Sequence, residues 1–262
     1  MAIDFDFTPY FQRYEALVQQ VDQVFDNMQQ EFSDCVTCSR GCCDCCFALF
    51  DLSFIEALYI NHRFNETHQG RSRALIIERA NRADRETYRI KRKAHKAHGT
   101  GVEEADILKM VATERVRCPM LNDQDSCDPY EFRPITCRLY GIPTSINGEG
   151  HTCGLTHFKE GRSYPTANLD AIHQHLYKLS AELVADLRSK YVQMADMLIP
   201  VSMALLTDYD ATYLGLPGSD EDVSPKDKEN ERILARRNRK EEKSRIREHV
   251  AAAAKIYTKK GV

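Results

Sequence analysis

Apolar residues recur every three or four positions along several stretches of this chain, which is the period of an α-helix that is buried on one side. The first stretch follows Pro9, a residue suited to the first turn of a helix, with Thr8 before it as a cap. Its apolar positions alternate in steps of three and four: Phe11, Tyr14, Val18, Val21, Phe25, Met28 and Phe32. Leu17 and Val24 widen this stripe, so we expect the helix to pack into a globular core.

Two further helices are predicted from their ends. Ser53 and Glu56 have the spacing of a capping box, in which the serine and glutamate side chains each accept a backbone N–H of the first turn. This spacing predicts a helix from Ser53 to about Phe64. Gly70 and Gly99 enclose a long charged stretch that contains neither glycine nor proline, and this stretch is also predicted to be helical.

The middle of the chain divides into helical and irregular parts. Residues 102–117 begin with acidic side chains, which favour the positive end of a helix. Residues 118–161 are rich in Pro, Gly, Asn and Asp and are predicted to form loops or short strands. A core helix follows, with a continuation that Pro200 should end or kink. Its apolar positions again step by three and four: Leu169, Ile172, Leu176, Leu179 and Leu183.

The chain is therefore predicted to be mainly α-helical, with a helical domain around a cysteine-rich metal site that is carried by loops. Residues 1–213 are predicted to form this domain. Residues 214–225 contain Gly, Pro and an acidic run and are predicted to be a linker. Residues 226–262 are predicted to form a charged, basic helical extension.

Charge is distributed unevenly along the chain. The whole sequence of 262 residues has a net charge of −3, yet the segment from Lys226 to Lys260 carries 13 Lys or Arg against 6 Asp or Glu. A basic segment of this kind can bind an acidic protein or nucleic acid, although a solvated charged helix has the same composition. An acidic protein or a nucleic acid is thus the expected partner of the extension, and a membrane is not.

The start of the chain lacks the basic and apolar parts of a secretory signal, because its first residues are Met-Ala-Ile-Asp-Phe-Asp-Phe. No apolar run is long enough to cross a bilayer. Both observations predict a cytoplasmic protein, in which thiols stay reduced and clustered cysteines indicate metal binding. A disulfide framework is the alternative.

Cysteine is the residue type that carries the chemistry. Six of the ten cysteines lie between residues 35 and 46: Cys35, Cys38, Cys42, Cys43, Cys45 and Cys46. The other four occupy the loop-rich stretch: Cys118, Cys127, Cys137 and Cys153. Thiolates at this density are typical of zinc sites and of iron–sulfur clusters, which take sulfur ligands.

The spacings restrict the ligand sets. Cys35 and Cys38 are separated by two residues, a step that lets both sulfurs face one ion. Cys42 and Cys43 are adjacent, so their side chains diverge; they serve different ions, bridge two metals, or include one packing residue. Because the first cluster has no obvious complete site of its own, we expect the second cluster to supply further ligands.

In combination these residues resemble a known family. The matching motifs are Cys35-x2-Cys38-x3-Cys42-Cys43, then Cys118-Pro119-x-Leu121, then Cys127-x2-Tyr130-Glu131-x-Arg133-Pro134-x2-Cys137-Arg138, then Cys153. Over this stretch, under half of the chain, the sequence is similar to the CxxCxxCC-type cysteine-cluster proteins. Members of that family are described as zinc- or iron-chelating and are often labelled iron–sulfur-cluster-containing.

The resemblance implies eight metal ligands: Cys35, Cys38, Cys42, Cys43, Cys118, Cys127, Cys137 and Cys153. The sequence departs from the family pattern in two ways. Three residues instead of two precede the double cysteine Cys42-Cys43, and Cys45 and Cys46 are additional. Which cysteines of the first cluster bind metal therefore stays open.

An iron–sulfur cluster or zinc is the expected cofactor, since all-thiolate ligation suits both. The leading hypothesis is a metal-binding protein that serves electron transfer, metal handling or partner interaction. One alternative is a protein-modifying enzyme related to flagellin lysine methylase, which is similar in its cysteine cluster. Another is a structural zinc protein that docks on nucleic acid through the basic stretch from Arg89 to Lys96 and the basic extension.

Overall fold

The computed structural model describes residues 3–39 and 41–217 of the chain. Most of this part is helical, as the apolar periodicity predicts. It contains seven α-helices: α1 (Thr8–Glu31), α2 (Phe54–Thr67), α3 (Gly70–Gly99), α4 (Glu104–Ala112), α5 (Ile135–Leu139), α6 (Leu169–Asp186) and α7 (Val201–Leu206).

Short strands between the helices form two small sheets. The strands of the described chain are β1 (Asp51–Leu52), β2 (Thr144–Ile146), β3 (Glu149–His151), β4 (Ala167–Asn168) and β5 (Ile199–Pro200). β1 and β5 pair antiparallel, with Leu52 opposite Ile199. In the second sheet β2 lies between β3, which is antiparallel to it, and β4, which is parallel to it.

The core is built around α2, because almost every residue of this helix is buried. It packs against α1, α6 and α7, and α7 in turn packs against α3. The side chains at the centre are aromatic or aliphatic and have less than 2 % of their surface exposed: Tyr14, Phe54, Ile55, Ile60, Phe64 and Leu176. Burial of this apolar surface provides the main driving force for folding.

The helix ends explain why several predictions are confirmed. Ser53 caps α2, and both bonds of the capping box with Glu56 are present. The charged helix α3 runs between the two predicted glycines, and α6 begins at the first residue of the predicted core stripe. At α1 the prediction of a Thr8 cap is wrong, since Thr8 is already helical and its N–H donates to the Asp6 carboxylate at 2.9 Å.

Two helices are shorter than predicted. The helix predicted over residues 102–117 ends at Ala112, because the residues that follow bond to another segment: the N–H of Val116 donates to the carbonyl of Phe47 at 3.1 Å. The core helix α6 ends at Asp186, well before Pro200. Pro200 instead pairs with Asp51 across the first sheet and precedes α7.

The compact unit of the described chain continues to Leu216, past the predicted domain end at residue 213. Leu214 is fully buried in it, and the carbonyl of Gly215 accepts a hydrogen bond from the N–H of Lys190 at 2.9 Å. The rest of the predicted linker, from residue 218, and the predicted extension over residues 226–262 lie outside the described residues. None of the helices in the described part of the chain is long and apolar enough to span a membrane.

Glu56 is a buried carboxylate that joins three elements. Its Oε1 accepts the N–H of Ile135, at the start of α5, at 3.1 Å and the hydroxyl of Tyr14, on α1, at 3.3 Å. Its Oε2 accepts the N–H and the hydroxyl of Ser53 at 3.4 and 3.2 Å. Burial raises the pKa of Glu56 although these hydrogen bonds oppose the shift.

We expect Glu56 to make the stability of the protein depend on pH. A carboxyl whose pKa is raised on folding stabilises the protein fully below its unfolded pKa, and this contribution is lost as the pH rises through the folded pKa. Glu56→Gln cannot ionise, so the difference in unfolding free energy between the original protein and this variant should fall as the pH rises from 4.5. Urea unfolding of both proteins between pH 4.5 and pH 8 measures it; a constant difference would contradict the prediction.

Candidate metal centre

The first cysteine cluster occupies the segment between α1 and β1. Cys35 and Cys38 lie in the loop that follows α1. Cys45 and Cys46 lie farther along, on a single turn of 3₁₀ helix over Asp44–Phe47. Because a 3₁₀ turn is tight, it holds these two neighbouring thiols in a short rigid piece of backbone.

Backbone hydrogen bonds attach this turn to the second cluster. The N–H of Cys118 donates to the carbonyl of Cys46 at 2.7 Å, and Ala48 and Arg115 form an antiparallel bridge. These bonds are the reason that the predicted helix ends early. They place the backbone of Cys118 directly beside that of Cys46.

A tight loop returns the chain from Cys118 to Cys127. Leu121 and Cys127 form an antiparallel bridge, and the N–H of Asp128 donates to the carbonyl of Met120 at 2.9 Å. Helix α3 holds this loop through Arg79, which donates to the Leu121 carbonyl at 3.0 Å and to the Asp128 carboxylate at 2.7 Å. The long charged helix thus supports the second cluster.

Cys137 is carried by the short helix α5, and the residue after it, Arg138, fixes this helix to α1. The Arg138 guanidinium is 5 % exposed and binds both oxygens of the Asp22 carboxylate at 2.6 and 2.9 Å. It also donates to the carbonyls of Glu131 and Arg133 at 2.6 and 3.0 Å. One side chain therefore holds the loop that precedes Cys137 as well as the helix itself.

Five cysteines are brought together by this frame, and we call them the five-thiol group: Cys45, Cys46, Cys118, Cys127 and Cys137. The thiols of Cys137 and Cys46 hydrogen-bond to the sulfur of Cys45, which lowers the pKa of Cys45. The same bonds raise the pKa values of Cys46 and Cys137. Cys45 is thus the member of the group that most readily carries the negative charge.

The two remaining thiols of the group are held in the protonated form chiefly by burial. Burial raises the pKa of Cys118 to about 11 and the pKa of Cys127 to about 12, and the nearby charge of Cys45 adds to both shifts. Arg133, whose guanidinium lies 4.0 Å from the ring centre of Tyr130, lowers the pKa values of Cys45 and Cys127. A positive side chain therefore faces the thiols.

Thiols are the side chains that soft metals prefer as ligands, and the five-thiol group offers several of them. Buried thiols with raised pKa values bear a free-energy cost if they ionise alone, and a bound cation removes that cost by replacing their protons. The chemical type of these donors, and not a ready-made coordination geometry, is what points to a metal. Across residues 3–39 and 41–217, no group of three or more His, Cys, Asp or Glu side chains is arranged to hold a metal ion.

The structure places the eight cysteines predicted as ligands in different surroundings. Cys118, Cys127 and Cys137 belong to the five-thiol group. The sulfur of Cys38 occupies the space that a Cβ atom on Gly141 would need, and the sulfur of Cys153 lies 3.6 Å from the Asp44 carboxylate. The pKa of Cys43 is raised by burial and then by Asp125. The carbonyl of Cys35 accepts the N–H of His157 at 2.9 Å.

Cys45 and Cys46 were not among the predicted ligands, yet they lie in the middle of the five-thiol group. The sequence contains a signal for them, because two residues separate Cys42 from the pair Cys45-Cys46. That is the family spacing before a double cysteine, shifted by three positions from the pair Cys42-Cys43. All ten cysteines are free thiols, and none forms a disulfide.

Comparison of the chain with protein-family models, with curated proteins and with solved structures finds no match.

Proposed function

We propose that this chain is a cytoplasmic metal–thiolate protein of the CxxCxxCC type, and that its five-thiol group holds an iron–sulfur cluster or zinc. The observation that carries the proposal is the meeting of five thiols from three separate segments, around the 3₁₀ turn, the loop over residues 118–128 and α5. A cysteine that only packs in a hydrophobic core acts as an isolated small apolar side chain. Five clustered thiols with mutually shifted pKa values are instead expected of a ligand set.

Four of the five thiols are enough for a tetrahedral zinc ion or for one iron–sulfur cluster. When bound, zinc would supply structural cross-linking and an iron–sulfur cluster would supply one-electron redox chemistry. Cys45 would be the first thiol to bind the metal, since its pKa is lowered. Arg133 and Arg79 lie near the thiols and would offset part of the thiolate charge.

An iron–sulfur cluster is favoured over zinc, because ten cysteines exceed the needs of one structural site and the resembled family is often labelled iron–sulfur-cluster-containing. The corresponding role is electron transfer or metal handling. The lowered pKa of Cys45 and the raised pKa values of its neighbours also favour uptake of a metal from a carrier, since one thiolate is available to begin the exchange.

Metal analysis of protein isolated without oxygen tests the proposal. We expect a brown protein with acid-labile sulfide in proportion to iron, and we expect dithionite to bleach its colour. A colourless protein with stoichiometric zinc would show that the metal has a structural role and does not transfer electrons. Protein that contains neither metal, even after incubation with iron and sulfide or with zinc, would contradict the proposal.

A second observation favours an anionic partner. Arg85, Arg89, Arg92 and Lys96 follow one another on α3 at spacings of four, three and four, so they share one helix face, and all four are exposed. We call them the basic stripe; it spans roughly 16 Å at 1.5 Å per residue. None of the four side chains has a hydrogen-bond or ion-pair partner among the described residues. Their neighbour Tyr88 is 63 % exposed.

Nucleic acid fits this face better than an acidic protein does, because unpaired cations can contact phosphates and an exposed aromatic ring can stack on a base. The basic extension predicted at residues 226–262 could add to the same interaction, but it lies outside the described residues. The stripe therefore supports docking on nucleic acid as an additional role of the metal protein.

We expect the protein to bind a fluorescent single-stranded oligonucleotide with an affinity that falls steeply with salt. Replacing Arg89 and Arg92 by Ser should weaken binding and reduce the slope of log affinity against log salt by about 1.4, since two phosphate contacts at about 0.7 each are lost. Replacing Lys159 and Lys178, which are exposed elsewhere, is the matched control. Equal effects of both pairs in fluorescence anisotropy would contradict a specific role of the stripe.

A further inference from the structure

A small polar cleft lies between α1, α2 and the residues that lead into α5. Carboxyl, phenol and guanidinium groups from these three segments line it: Glu15, Asp22, Tyr59, Glu131, Arg133 and Arg138. Its volume of about 210 Å³ is below the roughly 300–1,000 Å³ of sites for drug-sized ligands. The cleft can therefore hold one small polar molecule, but it is too small for a nucleotide.

Two of the charged groups in the cleft neutralise each other. Arg138 binds both oxygens of the Asp22 carboxylate at 2.6 and 2.9 Å. It also donates to the carbonyls of Glu131 and Arg133, which fixes the backbone of that wall. This pair shapes the cleft, and a ligand must be recognised by the charges that remain.

Three charged side chains of the cleft have no ion-pair partner among the described residues: Glu15, Glu131 and Arg133. Glu131 and Arg133 lie two positions apart on one wall, and Glu15 comes from α1 on the other. Charged groups that are partly withdrawn from water favour a partner of opposite charge. A ligand that carries charges of both signs can satisfy all three.

Two of these three side chains are already held in position. The hydroxyl of Tyr59 donates to Glu15 Oε1 at 2.7 Å. Arg133 donates to the carbonyl of Tyr130 at 3.0 Å, and its guanidinium lies 4.0 Å from the ring centre of Tyr130. Both charged side chains are half-buried. Side chains that are ordered before binding lose less conformational entropy when a ligand arrives.

We propose that this cleft binds a free α-amino acid with a basic side chain, of which arginine is the type. The α-carboxylate accepts two parallel hydrogen bonds from the Arg133 guanidinium. The α-ammonium donates to Glu131 on the same wall, since one carbon separates the two α-groups of the ligand. The basic side chain crosses the cleft to Glu15.

Charge selects this class of ligand over its relatives. The ligand carries two positive charges and one negative charge, and the unpaired groups of the cleft carry the opposite set. A diamine or polyamine leaves Arg133 without a carboxylate, and a dicarboxylate places its charges against Glu15 and Glu131. The inference goes beyond the proposed metal-binding function and requires no bound metal.

Isothermal titration of the full-length protein with three related compounds tests the ligand class. Agmatine is arginine without its carboxylate, and L-citrulline has a neutral side chain of almost the same shape. We expect L-arginine to bind, and both analogues to bind about tenfold more weakly or less, because each lacks one charge-assisted interaction. Equal affinities for L-arginine and agmatine, or tighter binding of agmatine, would overturn the proposal.

Variants of the cleft assign each charge to its partner. Arg133→Gln should bind L-arginine about tenfold more weakly and should no longer distinguish it from agmatine. Glu15→Gln keeps an oxygen for Tyr59, and it should no longer distinguish L-arginine from L-citrulline. A variant that is merely destabilised would keep both preferences. Glu31→Gln, at an exposed position of the same helix, is the matched control and should bind as the original protein does.

The outcomes are independent of those for the metal. Failure of the original protein to bind L-arginine at millimolar concentration would overturn this inference, whatever its metal content. Unchanged preferences in both Arg133→Gln and Glu15→Gln, with helical circular dichroism retained, would overturn it as well. Metal analysis of the same samples reports on the proposed function separately, since neither result depends on the other.

Discussion

Replacing Cys137 by serine is expected to remove the metal of the five-thiol group and to lower the melting temperature by roughly 10 °C or more, since metal binding and folding are coupled. Cys137 hydrogen-bonds to Cys45 and lies on α5, so it connects the first cluster with the second. Its loss leaves the other thiols without the partner that joins the two segments. Metal analysis and thermal unfolding of the anaerobically purified variant measure the two effects.

The matched control is Cys35→Ser, because the thiol of Cys35 has no side-chain partner among the described residues. We expect it to retain the metal of the five-thiol group and most of the melting temperature. Full metal retention by the Cys137 variant would show that the first cluster acts alone. Equal losses in both variants would argue against the five-thiol group as the site.

The second large effect is expected from Arg138→Ala. This change removes an ion pair in which the Arg138 side chain is buried and Asp22 is 40 % exposed, together with two hydrogen bonds to carbonyls before α5, so it should cost about 2–3 kcal/mol of unfolding free energy. Because Arg138 follows Cys137 directly, the variant should also bind metal more weakly. Urea unfolding measures the loss of stability, and chelator competition measures the change in affinity.

Arg13→Ala is the control for this variant. Arg13 also pairs with a carboxylate, Glu182 at 2.6 Å, but both side chains are well exposed, at 47 % and 38 %. An exposed pair contributes less than about 1 kcal/mol, because water screens it. If Arg138→Ala and Arg13→Ala unfold at the same urea concentration, the anchoring role assigned to Arg138 is wrong.

The helices of this protein could be predicted from sequence because their signals are local. The capping box at Ser53 and Glu56 and the apolar stripe of α6 depend on residues three or four positions apart, and both are confirmed. Predictions of helix length were less successful. The segment after Ala112 pairs with Phe47 and Ala48, and no local sequence pattern predicts pairing with residues more than sixty positions away.

The cysteines show the same contrast between what local sequence predicts and what tertiary contacts decide. The sequence alone determined that this chain has ten thiols in two clusters, and it predicted loops or short strands for the second cluster, whereas Cys137 lies on the short helix α5. Only the tertiary structure decided which thiols meet. The pairing of Cys46 with Cys118 puts Cys45 and Cys46 beside the second cluster, while the contact between the Thr37 and Leu155 segments draws Cys153 towards Cys38. Spacing along the chain defines which thiols can lie on one turn. Whether thiols from distant segments come together depends on backbone pairing and on the contacts of Gly141 and Arg138, and these exist only in the folded protein.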